Sequence, residues 1–194
     1  EFWNGWFDHW GEEHHRRDSA DAASALEEQL ELGASVNFYM FHGGTNFGFM
    51  NGANYGEHYE PTVTSYVDDA PLGEHGEITP KFNAFREVIA RHVELPPWSA
   101  PEPVPTMAIG PFEVTSGAKI LESLEVLSAP ISSATVEPME VFGQDYGFIL
   151  YETQISGPRE MSTLTLQGLH DRAHIFVDDT LVGILDREIN STTF

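Results

Sequence analysis

Between residues 96 and 105 the chain reads PPWSAPEPVP, with five prolines in ten positions. Proline fixes φ and lacks an N–H, so such a stretch can hold neither a helix nor a central strand. It therefore acts as a linker and divides the 194 residues into halves of different texture. Residues 1–95 read as alternating strands and helices, and residues 106–194 as β-rich, so the expected fold class is α/β plus all-β. A hydrophobic fraction of 41% is enough to build a core. The formal charge of −22, with Lys81 and Lys119 as the two lysines, excludes binding to a phosphate backbone, so nucleic acid is set aside as a partner. The acidity fits solubility through self-repulsion, or a salty medium in which that repulsion is screened. No apolar run approaches the roughly 18 residues of a membrane span, and no basic, hydrophobic leader is present in this stretch. The absence of cysteine excludes disulfides and thiolate chemistry. It leaves a cytoplasmic and a secreted location equally open.

In the first half, Asp18 or Ser19 can cap a helix over about residues 20–32, with Ala22, Ala23, Leu26 and Leu30 on one face and Gly33 as its stop. Val36-Asn37-Phe38-Tyr39-Met40-Phe41 follows as a buried strand. Its alternation sends Val36, Phe38 and Met40 to one layer and Asn37, Tyr39 and Phe41 to the other. His42-Gly43-Gly44-Thr45-Asn46-Phe47-Gly48 ends that strand and opens a loop reaching Pro71. At about thirty residues, the loop is too long for a plain connection and suggests function. Thr79-Pro80 then caps a second helix, with Phe82, Phe85, Ile89 and Val93 at helical spacing. After the linker, strands are expected at Met107–Val114, Gly147–Ile155, Ser162–Gln167, Ala173–Val177 and Thr180–Leu185, with a short helix at Lys119–Leu127. Asp178-Asp179 sits where a two-residue hairpin turn belongs. This strand set suits a sandwich or jelly roll and is too small to close, so the β-domain reads as truncated.

The chain opens on EFWNGWFDHWG, a carboxylate followed by Phe2, Trp3, Trp6, Phe7 and Trp10. Flat apolar rings beside an acid suit a sugar site, and the same rings suit a core. The motifs along the chain are more specific. EFWNGWFDHWG at 1–11, GASVNFYMFHGGTNFGFMNGAN at 33–54, Thr64-Ser65-Tyr66 with Asp69-Ala70-Pro71-Leu72, Tyr146-Gly147-Phe148 and His170-Asp171-Arg172-Ala173 resemble the β-galactosidases of glycoside hydrolase family 35. The resemblance covers nearly the whole chain, with its motifs in order.

It implies that residues 1–95 are the C-terminal portion of a TIM (β/α)8 barrel, that 96–105 are a linker, and that 106–194 begin a β-sandwich or jelly-roll domain. The implied reaction is removal of terminal non-reducing β-D-galactose from β-galactosides, with retention, by two carboxyl groups about 5–5.5 Å apart. The family's nucleophile maps onto Glu1. Its acid/base Glu belongs to an Asn-Glu motif on an earlier barrel strand, which this sequence lacks. The 194-residue stretch alone is therefore expected to be inactive, as a fragment of the whole enzyme. Tyr39 is implied as a substrate or nucleophile contact, and a Tyr hydroxyl can hold a carboxylate ionised and oriented. Trp6 is implied as a pocket wall on the aglycone side; Trp3 and Trp10 read as structural. Asp68 replaces a family Tyr that contacts galactose, and Val67 an Asp, since the family commonly reads TSYDYDAPL. A carboxylate can accept from sugar hydroxyls without stacking on the ring.

No cofactor is expected. His9, Glu12, Glu13, His14 and His15 lack the HExxH spacing that places two His on one helical face, so they read as a solvated charged loop with no metal. A reading from a different class is a galactoside-binding or structural module of the same fold that has lost catalysis. Neither the oligomeric state nor the linkage preference follows from the sequence.

Overall fold

The computed structural model describes Glu1–Phe194. The chain forms two compact units: Glu1–Val104 together with Gln154–Phe194, and Pro105–Thr153.

The first unit begins with β1 (Phe2–Trp3), followed by α1 (Ser19–Glu31) and β2 (Phe38–Tyr39). β1 and β2 pair in parallel, Phe2 opposite Phe38 and Trp3 opposite Tyr39, so the three elements form a βαβ crossover. α1 starts where its cap predicts: the Asp18 carboxylate accepts from the N–H groups of Ala20 and Asp21 at 2.9 and 3.0 Å. Gly33 follows its C-terminus at φ +74°, a conformation that favours glycine. α2 (Pro80–His92) is capped by the Thr79 hydroxyl, which accepts from the Phe82 N–H, and Pro80 takes the first-turn position that needs no donor.

Both helices pack on the same side of the β1–β2 pair. Phe2, Ala22, Ala23, Leu26, Phe85 and Val88 form the core, with Val36 and Phe38 packed against it. Phe2, Phe38 and Phe85 meet at centroid distances of 5.2–5.7 Å, two of the contacts edge-on and one stacked. The alternation expected at 36–41 is visible in burial, since Val36, Phe38 and Met40 are half-buried while Asn37, Tyr39 and Phe41 are exposed. Truncating Phe85 to Ala should cost about 3–5 kcal/mol, as for other buried aromatics, and a denaturant melt reads this directly.

The long loop after β2 contains a hairpin of β3 (Ala53–Tyr55) and β4 (Tyr59–Pro61). Gly43 anchors the loop: a Cβ there would lie 2.3 Å from the Val67 carbonyl oxygen, so only glycine permits the approach. The Asn46 N–H donates to the Thr64 carbonyl and the Tyr66 N–H to that of Gly44, tying the glycine-rich stretch to residues 64–67.

In the Pro105–Thr153 unit, the expected helix at 119–127 is a 3-10 turn (Leu121–Ser123) running into α3 (Leu124–Leu127), and a second turn spans Met139–Phe142. The strands expected at 107–114 and 147–155 do not form. A strand persists only when a neighbour pairs its backbone, and no ladder includes these residues. Met107, Ile109, Phe112 and Val114 are all exposed, so their alternation has no buried face to select a register.

The closing strands belong to the first unit. β5 (Thr163–Thr165) pairs antiparallel with β8 (Ser191–Thr193), and β6 (Arg172–Val177) with β7 (Thr180–Asp186). The β6–β7 turn is Asp178-Asp179, at φ 46° and 61°, the doubly left-handed geometry of a tight hairpin. No helix is long and apolar enough to cross a membrane.

Candidate active site

β1 and β2 lie side by side and point the same way, so Glu1 and Tyr39 emerge on one side of the pair. There a cavity of about 240 Å³ is lined by Glu1, Trp3, Gly5, Trp6, Phe7, Tyr39, Tyr66 and Val67. Three of the four residues expected in the site from sequence, Glu1, Trp6 and Tyr39, therefore share one cavity.

The wall is a continuous series of rings. Trp3 and Trp6 lie 4.7 Å apart, Trp6 stacks on Phe7 at 5.0 Å, and Phe7 stacks on Tyr66 at 5.5 Å. Tyr39 meets Tyr66 edge-on at 6.2 Å. Trp3, read from sequence as structural, is half-exposed in this wall, and its indole N–H donates to Glu1 Oε2 at 2.8 Å. A donor aimed at one carboxylate oxygen fixes the orientation of the group. Tyr39 takes a different partner from Glu1: its hydroxyl lies 2.8 Å from that of Tyr66.

Tyr66 was legible only as part of the Thr64-Ser65-Tyr66 motif. Burial pushes its phenol up to about 12, helped by the hydrogen bond with Tyr39 and the nearby charge of Glu1. Its folded value exceeds the ordinary 10.0, so its contribution to stability is complete below pH 10.0 and is lost as pH rises towards about 12. Alkaline difference absorbance should show a phenol ionising near pH 12 that disappears in Tyr66→Phe. Ionisation of every phenol near pH 10.0 would contradict the buried, bonded placement.

Asp68 does not line the cavity. Its carboxylate is ion-paired with the Arg16 guanidinium, while the neighbouring Val67 packs into the lining. Asp69 turns inward and binds Lys81, whose side chain is only 2% exposed. Lys81 Nζ donates to Asp69 Oδ2 at 2.6 Å, to the Asp69 carbonyl at 2.8 Å and to the Asn4 carbonyl at 2.7 Å, which uses all three protons. The Arg17 N–H donates to Asp69 Oδ2 at 2.7 Å, and Arg17 Nη1 to the Trp3 carbonyl at 2.8 Å. The buried Asn4 amide donates to the Met40 carbonyl at 3.1 Å. This clasp fixes the backbone that presents Glu1 and Trp3 against that of Tyr39 and of residues 66–69.

A second cavity, about 270 Å³, is lined by Tyr55, Leu166, Gly168, Leu169, His170, Arg187 and Asn190. It has no carboxylate in its lining, so it cannot supply the acid that glycosidic chemistry needs.

Comparison with known proteins places the chain in a family. Residues 1–92 match the model of the glycosyl hydrolases family 35, and residues 137–194 match that of the first all-beta domain of beta-galactosidase. A beta-galactosidase of Xanthomonas manihotis is 43% identical over 197 residues, covering 100% of this chain and 32% of its own. A beta-galactosidase-1-like protein of Mus musculus is 41% identical over 199 residues, covering 100% of this chain and 31% of its own. The beta-galactosidase of Homo sapiens is 40% identical over 193 residues, covering 96% and 28% respectively. The chain thus spans about a third of the length of the curated relatives it matches. With two successive domain models matched in order and relatives similar along its full length, the chain belongs to glycosyl hydrolase family 35.

Proposed function

We propose that the protein containing this chain is a β-galactosidase that hydrolyses terminal non-reducing β-D-galactose with retention of configuration, and that Glu1 is its nucleophile. The observation that carries the reading is the Glu1 carboxylate, held by the Trp3 indole N–H at the edge of a cavity walled by aromatic rings. The rings offer faces for the C–H surface of a sugar, and the carboxylate offers an oxygen for the anomeric carbon. In the first step Glu1 attacks C1 while a carboxylic acid protonates the departing glycosidic oxygen, which leaves a glycosyl ester on Glu1. In the second, the same acid, now a carboxylate, takes a proton from water as the water attacks C1 and releases Glu1. Glu1 is the one carboxylate in the cavity lining, so we assign the acid/base to a segment outside this chain.

On this reading Trp6 supports the aglycone, while Tyr39 and Tyr66 line the galactose end. Asp68 lies outside the lining and pairs through Oδ2 with Arg16, so we assign it an influence on the substrate from behind Val67 rather than as a wall of the cavity. The βαβ crossover of β1, α1 and β2 is the repeating unit from which a (β/α)8 barrel wall is built. We accordingly assign residues 1–95 to the end of such a barrel, 96–105 to a linker and 106–194 to the start of a β-domain. Proton NMR of the first product formed from a nitrophenyl β-galactoside by the intact protein tests the mechanism. Initial appearance of β-galactose is expected, and initial appearance of α-galactose would overturn the double displacement.

A further inference from the structure

Beyond the aromatic wall the chain continues as Asp8-His9-Trp10-Gly11-Glu12-Glu13-His14-His15, and its charged side chains have no part in the chemistry above. They are nonetheless gathered. The Asp8 carboxylate is 2% exposed and uses both oxygens: Oδ2 lies 2.7 Å from His14 Nδ1, and Oδ1 lies 2.7 Å from His15 Nδ1. Oδ1 also accepts the His15 backbone N–H at 2.8 Å. Glu12 lies alongside, its Oε2 3.0 Å from His9 Nδ1. One ligating atom from each of Asp8, Glu12 and His15 falls within 4.8 Å of the other two.

We propose that Asp8, Glu12 and His15 form a binding site for one divalent first-row transition ion, with zinc as the best match. Imidazole together with carboxylate suits zinc and its neighbours, whereas magnesium and calcium favour oxygen alone. Zinc takes donors about 2.0–2.2 Å away, so a tetrahedral shell needs donors roughly 3.3 Å apart. The Asp8–His15 pair is already closer than that, and Glu12, exposed at its tip, closes the remaining gap by rotating its side chain. The ion replaces the proton shared between Asp8 and His15 Nδ1, and solvent completes the shell. Entry is open because the His14 and His15 rings are about half-exposed while the carboxylate beneath them is buried.

The helical HExxH spacing does not apply here, because these residues lie on a loop rather than a helix. The loop is joined to the β3–β4 hairpin region: the Val63 N–H donates to the Asp8 carbonyl and the Trp10 N–H to that of Pro61. A bound ion would therefore pin the segment that directly follows Trp6 and Phe7. The role is structural, and it stands apart from the glycosidase reading.

The test is calorimetric titration of the chelator-stripped intact protein with zinc, alongside visible absorption on adding cobalt(II). One saturable site and a cobalt spectrum of low coordination number are expected, with a raised melting temperature in zinc. Glu12→Gln and His15→Asn should each weaken zinc binding about tenfold or more, and zinc should raise the melting temperature of each variant, measured against that variant's own metal-free melt, by less than it does in the unsubstituted protein. Absence of saturable zinc uptake would overturn the proposal. So would uptake of equal affinity in both variants, which would place the ion on other surface histidines.

Discussion

Replacing Glu1 by Gln in the intact protein should, on the proposed reading, lower kcat on nitrophenyl β-galactoside by about 10⁴-fold or more, the scale seen when a covalent nucleophile is removed. The amide keeps the shape and can still meet Trp3, so the fold and sugar binding should survive while the attack on C1 is lost. The exposed position of Glu1 supports that separation, since its one side-chain bond is to Trp3. Glu1→Gly adds a sharper signature. With the carboxylate gone, azide can occupy its place and attack the anomeric carbon, so added azide should restore turnover and yield the α-galactosyl azide. A Glu1→Gln enzyme with near-normal kcat would mean that another group attacks.

The second large effect is on stability. Lys81→Met should destabilise the Glu1–Val104 region by about 3–5 kcal/mol, because it removes the buried cation from Asp69 and leaves two carbonyls without a donor. Met matches the length and apolar stem of Lys, so packing loss contributes little and the effect reports the polar clasp itself. Differential scanning calorimetry should show a fall in Tm of about 10 °C. The same variant should also impair catalysis beyond its stability loss, since Asn4 and Asp69 position the backbone next to Trp3 and Tyr66. An unchanged Tm would mean that Lys81 is not the buried cation described.

Much of the fold was legible because its signals are local. Asp18 and Thr79-Pro80 cap helices through their own neighbours, Gly33 stops one through its own φ, and Asp178-Asp179 turns a hairpin within two residues. The expected strands at 107–114 and 147–155 failed for the opposite reason. Alternation shows that a segment could be a strand, but a strand exists only where a partner ladder is found. Even at 36–41 the alternation foretold burial, while ladder pairing was confined to Phe38 and Tyr39.

The site divides the same way. Glu1, Trp6 and Tyr39 carried motif signals and meet in one cavity. Trp3 and Tyr66 sat inside those motifs, yet their contacts with Glu1 and Tyr39 depend on side-chain directions that spacing does not reveal. Lys81 would ordinarily be assigned to solvent from its residue type, because a buried lysine is rare until its three acceptors are seen. Asp68 found its partner in Arg16, 52 positions earlier, which no pattern within the Thr64–Leu72 segment could announce.

The central claim is that Glu1 forms a covalent bond to galactose. Incubating the intact protein with a 2-deoxy-2-fluoro-β-galactoside bearing a good leaving group slows both steps and lets the glycosyl-enzyme accumulate. Peptide mass spectrometry should then find one fluorogalactosyl group on the peptide containing Glu1, with activity lost in proportion. A label on any other carboxylate, or continued turnover with no adduct, would contradict the assignment.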